Sequence, residues 1–377
     1  MEDLLIKEVK TKKERAVFVD YPNKLYKDNP YFVPSFFGDD MEDWDERKNP
    51  AFDYCEARAF LAYRGDEVVG RIAAILSHKA NETWKTKRMR FSQVDFIDDP
   101  EVSKALFDTV ENWAREKGME EVHGPLGFCD LDSEGMLVEG FDKRSMFITY
   151  YNHPYYIDHM TELGYVKDVD WIEHMIPLGD ENSHTYRKLK RISDAMLKRT
   201  GFRKVDLSKK NLIRPYIHKA FELLNVAYAP LYGVVELSDK QIKKYTNKFL
   251  PLIDKDLCCL IVDDNDELVG LGVGAPSMAE AMRKCRGHLF PFGWMGVLKS
   301  LRKNDTLDLF LIAIRPDLQG SGLNGVIMEH LYTGCIKLGI KQAETGPQLE
   351  TNNKVHSQWK MFDIEPHKRR RCFIKQL

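Results

Sequence analysis

Leu307-Asp308-Leu309-Phe310-Leu311-Ile312-Ala313-Ile314 runs straight into Arg315-Pro316-Asp317-Leu318-Gln319-Gly320-Ser321-Gly322-Leu323-Asn324-Gly325. Beyond it, Val326, Ile327, His330, Leu331, Cys335 and Leu338 recur at helical spacing. The pattern reads strand, glycine-rich turn, helix. Glycines at such a turn let main-chain N–H groups converge on one point, and the helix N-terminus behind them adds roughly half a positive charge. The stretch predicts a phosphate cradle for a nucleotide-derived cofactor.

Working outward, the surroundings of this stretch occur twice in the chain. Arg58–Leu76 reads as a hairpin turning at Gly65-Asp66-Glu67, and Leu257–Ala275 repeats it with Asn265-Asp266-Glu267. A strand follows each hairpin, Met89–Ile97 and Leu307–Ile314. Each strand leads to a helix closed by a glycine, Glu101–Lys117 before Gly118 and Leu323–Leu338 before Gly339. Short strands into Gly124-Pro125 and Gly346-Pro347 come next. A last helix and strand close each copy: Pro154–Leu163 with Tyr165–Pro177, and Asn353–Phe362 with Lys368–Lys375. The expectation is a mixed α/β fold in two copies, 1–179 and 202–377, joined by an amphipathic helix within 180–201. The second copy carries a helical insertion at about 277–304, where the first has a polar, acidic loop, Gly38–Asn49. Arg283, Lys284, Arg286, Phe290, Phe292 and Trp294 of that insertion read either as lining of an acceptor pocket or as packing for its two helices.

The bulk numbers exclude several classes. At 377 residues, two domains are expected. Lys+Arg 56 against Asp+Glu 58 leaves net −2, so no global field draws the chain to nucleic acid or to a membrane. The basic run Lys368-Arg369-Arg370-Arg371 lies in a strand pattern that would alternate faces, which argues against nucleic acid as a partner. Seven cysteines with no CxxC pair give no disulfide framework, and a reduced, cytoplasmic setting fits. The charged start Met1–Glu8 has no signal core. The longest apolar run, Leu309–Ile314, is far short of a span, so no membrane partner is expected. Asp130-Leu131-Asp132-Ser133-Glu134-Gly135 begins like a calcium loop, but its twelfth position is Phe141. No metal site is expected.

Hairpin, strand, Gln-x-x-Gly turn, helix, strand, helix with an early Asn, then a final strand: this order resembles the GNAT (GCN5-related) N-acetyltransferase superfamily. The resemblance covers both copies in element order, but the cofactor turn only in the second. It implies acetyl-CoA, or CoA, held by the main chain of Ile312, Ala313 and Ile314 and by Leu318, Gln319, Gly320, Ser321, Gly322, Leu323, Asn324 and Gly325. Asn352 matches the Asn that helps hold the pantetheine arm. The amide of about Ile314 would polarise the thioester carbonyl. Asn324 departs from the family's second small residue. Trp359 stands where the family has a Tyr acting as general acid, and an indole cannot do that. Asp308 matches a catalytic Glu of histone-acetyltransferase-like members and is the first candidate base, with a solvent-facing acid as its plain alternative. Glu344 and Glu350 are further candidates. In the first copy, Asp98-Asp99-Pro100-Glu101 would repel a pyrophosphate, so that copy reads as a degenerate wall or scaffold.

Three rivals stand beside this reading. Gly320, Gly322 and Gly325 also spell a dinucleotide fingerprint with Glu344 further on, though a hairpin precedes it and too little chain follows for a doubly wound sheet. An aminoacyl-tRNA-dependent transferase of the same double fold and a non-catalytic CoA-binding module are the others. The acetyltransferase reading expects direct attack by the amine of a small or amino-acid-like acceptor, in a monomer or homodimer.

Overall fold

The structure is a computed structural model and describes residues 3–208 and 210–377, with the side chains of 210 and 211 left out. Met1 and Glu2, part of the charged start, therefore lie outside the described residues. The strands in chain order are β1 (Leu4–Glu8), β2 (Cys55–Arg64), β3 (Glu67–Ser77), β4 (Arg88–Phe96), β5 (Glu121–Gly124), β6 (Met136–Glu139) and β7 (Val166–Pro177). The second series is β8 (Arg203–Lys204), β9 (Cys258–Val262), β10 (Leu268–Pro276), β11 (Thr306–Ile314), β12 (Gln342–Thr345), β13 (Gln348–Leu349) and β14 (Glu365–Gln376).

The chain divides into two compact units, and they are not its two halves. Unit 1 holds 1–172, 279–297 and 368–377; unit 2 holds 173–278 and 298–367. The linear cut at 179–202 thus gives way to an exchange of final strands. The strand order in unit 1 is β1-β2-β3-β4-β5-β14, and in unit 2 the later part of β7, from Glu173, is followed by β12-β11-β10-β9-β8. In unit 1, Phe373 lies opposite Gly124; in unit 2, Met175 lies opposite Glu344. A strand pattern states which faces are buried but not which neighbour it pairs with, so the exchange leaves no mark in the sequence. The first part of the insertion also belongs to unit 1. There the Phe37 amide donates to the Gly287 carbonyl at 3.0 Å, and His288 stacks on Phe37 with centroids 4.3 Å apart.

In unit 1 the helix Pro100–Glu116 covers one face of the sheet. Its apolar stripe, Val102, Leu106, Val110 and Trp113, packs on Met89, Phe91, Val122 and Phe373. Asp99 caps it and Pro100 fills its first turn, as read. The stretch 38–49, read as a loop, instead begins with a helix, Phe37–Asp43. Asp39 and Asp40 lie in its first turn, where the helix dipole favours acids. The other face of the sheet carries charge. Arg71 donates to Asp95 at 2.7 Å and to the Phe18 carbonyl at 2.8 Å, and Tyr26 donates to Asp95 at 2.7 Å, all buried. The basic run of β14 is spent in the same way. Lys368 and Arg370 are buried, Lys368 on the Arg144 carbonyl at 2.9 Å, while Arg371 clasps Asp170 at 2.7 and 3.0 Å.

In unit 2 the helix Leu323–Leu338 packs Val326, Ile327 and Leu331 on Leu307, Leu309 and Ala343. Gly339 ends it in the left-handed conformation at φ 74°, which its lack of a Cβ permits. The helix His184–Thr200, capped by Ser183, lies against it with Leu189 and Met196. At Gly325 a Cβ would meet Ile192 at 2.6 Å. That glycine therefore serves close helix packing, and the apparent dinucleotide fingerprint is coincidental.

Candidate functional site

Strand β11 decides the geometry of unit 2. It pairs antiparallel with β10, and the register slips between Val273 and Gly274, so that Phe310 is an extra residue. The bulge turns the strand over. Before it, Leu307 and Leu309 face the helix Leu323–Leu338; after it, Leu311 and Ala313 lie in the opposite cluster. On its other side β11 pairs in parallel with β12, but only from Thr306 opposite Gln342 to Leu309 opposite Thr345. The amide of Gly346 then donates to the Leu309 carbonyl at 3.0 Å, and the ladder ends. Residues 310–314 keep an edge outside that ladder. One carbonyl there, Ile312, accepts from the Tyr228 hydroxyl at 3.1 Å, and the Ile314 carbonyl accepts from Gln319 at 3.4 Å.

The edge leads to the glycine turn. Gly320 (φ 81°) and Gly322 (φ 101°) are left-handed, and Gly322 is the N-cap of the helix, with no side chain to cap it. At this bend the Ser321 amide donates to the Leu318 carbonyl at 3.2 Å and the Leu323 amide to the Ser321 hydroxyl at 3.4 Å; helix starts of this kind suit an anion. Two cations stand by: Arg199 donates to the Ser321 carbonyl at 3.1 Å, and Lys354 to the Gln319 side chain at 3.0 Å. The set fits a diphosphate. Asn324 sits in the first turn with its amide oxygen buried and without a hydrogen-bond partner among the described residues. Asn352 is the N-cap of the helix Asn353–Gln358 and accepts from the Val355 amide at 3.2 Å. Trp359 is fully buried and donates to Gln348 at 2.8 Å, so it packs the core.

The candidate acids separate cleanly. Asp308 and Glu344 are register partners on β11 and β12, both buried, at the last rungs before the ladder ends. Asp308 is therefore no solvent-facing strand-end acid. His367 stands 3.5 Å from Glu344. Beside them the His174 amide donates to Thr345 at 2.9 Å, and the His174 ring meets His356 edge-on at 6.0 Å. Burial, then His356, pulls the His174 ring below its ordinary value, which favours the neutral form. Glu350 falls in the turn after β13 and not on the strand pair that holds the other two acids. Sequence reasoning missed His174; a Glu-His pair set among apolar residues in the strand end Ile172-Glu173-His174-Met175 was its only signal.

The same positions in unit 1 are built differently. Strand β4 bulges near Gln93 (φ 40°), and its parallel pairing with β5 ends at Arg90 opposite His123, where unit 2 has its two acids. The edge beyond is filled by side chains. The Phe96 amide donates to the Tyr156 hydroxyl at 2.9 Å, and the Phe96 carbonyl accepts from the Tyr155 hydroxyl at 2.5 Å. Where the cradle would lie, Arg64 clasps Asp99 and Glu101 at 2.6 and 2.7 Å, and His159 meets Asp98 at 2.9 Å. The acids at this helix start are thus neutralised as well as crowded. His123, Asp168 and Cys372 could group around a cation. Arg88, 3.4 Å from Asp168, and nearby Arg90 put two guanidinium charges at that spot, and the group is ill suited to a metal.

Unit 1 also holds an acidic loop that strains the fold. Burial raises Asp130 to about 6, and Glu134 is raised by burial and then by Asp130. One Asp130 oxygen has no partner among the described residues. A folded-state value above the unfolded one means that the native chain binds the extra proton between about pH 4 and 6. Stability is therefore lost as pH rises through that window. Asp130→Asn is expected to stabilise unit 1 by up to about 3 kcal/mol at pH 7 to 8. Denaturant midpoints of the two proteins should converge near pH 4, and a gap of the same size at both ends would refute the assignment.

A comparison with protein-family models finds no match. Among solved structures, a tandem GNAT protein from the clavulanic acid biosynthesis pathway superposes with a TM-score of 0.56 at 12% identity, over 99% of this chain and 98% of that one. The chain has the tandem GNAT fold. A GCN5-related N-acetyltransferase from Sphaerobacter thermophilus agrees, with a TM-score of 0.52 at 10% identity over 99% and 95% of the two chains. Among curated proteins, Protein YghO of Escherichia coli (strain K12) is 27% identical over 99% of this chain and 95% of its own length. A bacterial ceramide synthase of Caulobacter vibrioides (strain NA1000 / CB15N) is 28% identical over 80% of this chain and 77% of its own.

Proposed function

We propose that the chain is an acyl-CoA-dependent N-acyltransferase in which unit 2 performs the transfer and unit 1 does not bind CoA. The observation that carries this reading is that β11 runs on from the early end of its ladder with β12, at Leu309, to the Gly320–Gly322 turn. The diphosphate of CoA would take the main-chain donors of the turn, with Arg199 and Lys354 beside it, and the pantetheine arm would lie along 310–314. CoA supplies a thioester, an acyl group activated toward an amine. The chain's part is to hold that carbonyl at the amide of about Ile314 and to receive the proton that the attacking amine loses. Asp308 and Glu344 are the acceptors of that proton, with His367 as the route away from Glu344. Trp359 leaves the departing thiolate to be protonated by water.

The acceptor is read more finely from the curated relatives. One is named a ceramide synthase, and ceramide is the amide of a long-chain amino alcohol. We assign the acceptor here as a primary amine of that amphiphilic kind rather than a free amino acid. The test combines two measurements. Coenzyme A at millimolar concentration is expected to raise the melting temperature, and thiol release from short- and long-chain acyl-CoA is expected only with an amine present. A panel of an amino acid, ethanolamine and a long-chain amino alcohol reads the acceptor. Absence of the thermal shift would overturn the CoA reading. A shift with no amine-dependent release would leave a binding module.

A further inference from the structure

The insertion ends in an apolar tip that the protein does not cover. Phe290 is 82% exposed and Phe292 74%, and Trp294, Met295 and Leu298 are each more than two-fifths exposed. These exposures overturn the reading of the three aromatics as packing for the two helices, since their rings are not buried in the core. Periodicity marks an apolar face without saying what covers it. The tip is nonetheless built. At its base the Arg286 carbonyl accepts from Asn23 and His288 meets Asp20, each at 3.0 Å. Within it, the Trp294 amide donates to the Leu289 carbonyl at 2.9 Å and the indole N–H to the Pro291 carbonyl at 3.1 Å. Its polar groups are satisfied locally while its rings point outward. Singly exposed apolar residues are ordinary, but a run of large ones on one projection marks a docking surface.

Charge selects the occupant. From 281 to 304 the sequence has six Lys and Arg residues (Arg283, Lys284, Arg286, Lys299, Arg302 and Lys303) and no Asp or Glu. The helix Gly293–Arg302 carries Trp294, Met295 and Leu298 together with Lys299 and Arg302, all exposed. A second copy docking through the same surface would set these cations against their equivalents. Aromatic rings beside lysines and arginines instead suit the interface of a negatively charged bilayer, where rings enter the headgroup layer and cations meet phosphate.

We propose that the tip Leu289–Leu298 docks the protein on an anionic lipid surface. Among the described residues no helix is long and apolar enough to cross a membrane, and this attachment needs none. The expectation of no membrane partner rested on the net charge of −2 and on the lack of a span; docking through a locally basic tip requires neither an overall positive charge nor a span. The proposal stands on the tip alone and not on the transfer reading.

The test is co-flotation of the full chain with vesicles of phosphatidylcholine or of equal parts phosphatidylcholine and phosphatidylglycerol. Flotation is expected with the anionic vesicles and should weaken at high salt. Phe290→Ser with Phe292→Ser should lower partitioning at least about tenfold. Lys299→Glu with Arg302→Glu, on an exposed surface, should abolish the preference for anionic lipid. The thermal shift with coenzyme A, read without vesicles, should be unchanged in both and reports that they fold. Failure of the parent to float, or equal flotation of the aromatic variant, overturns the proposal. So does a dimer in sedimentation that the aromatic variant dissolves, which would make a second copy the occupant.

Discussion

Gly322→Glu is expected to lower the affinity for coenzyme A by about a hundredfold or more, while the protein stays folded. Gly322 sits at φ 101° as the N-cap of the helix Leu323–Leu338. A Cβ there meets only Ile192 and Met196, each at 4.0 Å, which is ordinary contact. Steric damage to the fold is therefore small, and the backbone strain of a left-handed residue costs roughly 1–2 kcal/mol. The carboxylate lies where the diphosphate would lie, so like charges meet at the site and the main-chain donors are drawn to the new side chain instead. Gly322→Ala separates the two effects, since it shares the strain but not the charge, and it should lose much less affinity. Isothermal titration with coenzyme A reads both. Equal losses in the two variants would mean that backbone conformation, not anion recognition, is what Gly322 supplies.

That prediction was reachable from the sequence, because everything it needs is local. A run of apolar residues, two glycines two apart and a helical repeat specify strand, turn and helix without reference to the rest of the chain, and β11 and the helix Leu323–Leu338 lie where the pattern put them. The hairpins β2–β3 and β9–β10 were legible for the same reason. What was not legible depends on partners distant in sequence. The pairing of β14 with β5 is one case, and the closure of the unit 1 edge by Tyr155 and Tyr156 is another. The helices Ile217–Tyr228 and Asp239–Phe249 went unassigned, although Ser238 with Gln241 forms a capping box that announces the second. The basic run in β14 shows the same limit. The alternation of its four cations between faces was legible, and Lys368 and Arg370 are indeed buried, but their neighbours' partner Asp170, which Arg369 and Arg371 meet, was not.

Asp308→Asn and Glu344→Gln are each expected to lower the rate of acyl transfer about 10²- to 10⁴-fold, the range that a positioned proton acceptor contributes, with coenzyme A binding unchanged. The two acids are adjacent on one face, on strands roughly 5 Å apart, and both are withdrawn from solvent. A strand pair has no structural need of two such groups. Moving carboxyl groups out of water costs free energy, and proton transfer is the role proposed for the two that stand here. In unit 1 the corresponding rungs hold Arg90 and His123, and the edge beyond is filled by tyrosines. If the acids share one proton-accepting role, the double variant should be hardly slower than the slower single one, because residues acting as a unit are not additive. His367→Gln should reduce the rate less and change its pH profile, as expected of a group that relays rather than receives the proton. Full rates in both single variants, with the thermal shift by coenzyme A intact, would remove Asp308 and Glu344 from the chemistry while leaving the cradle in place.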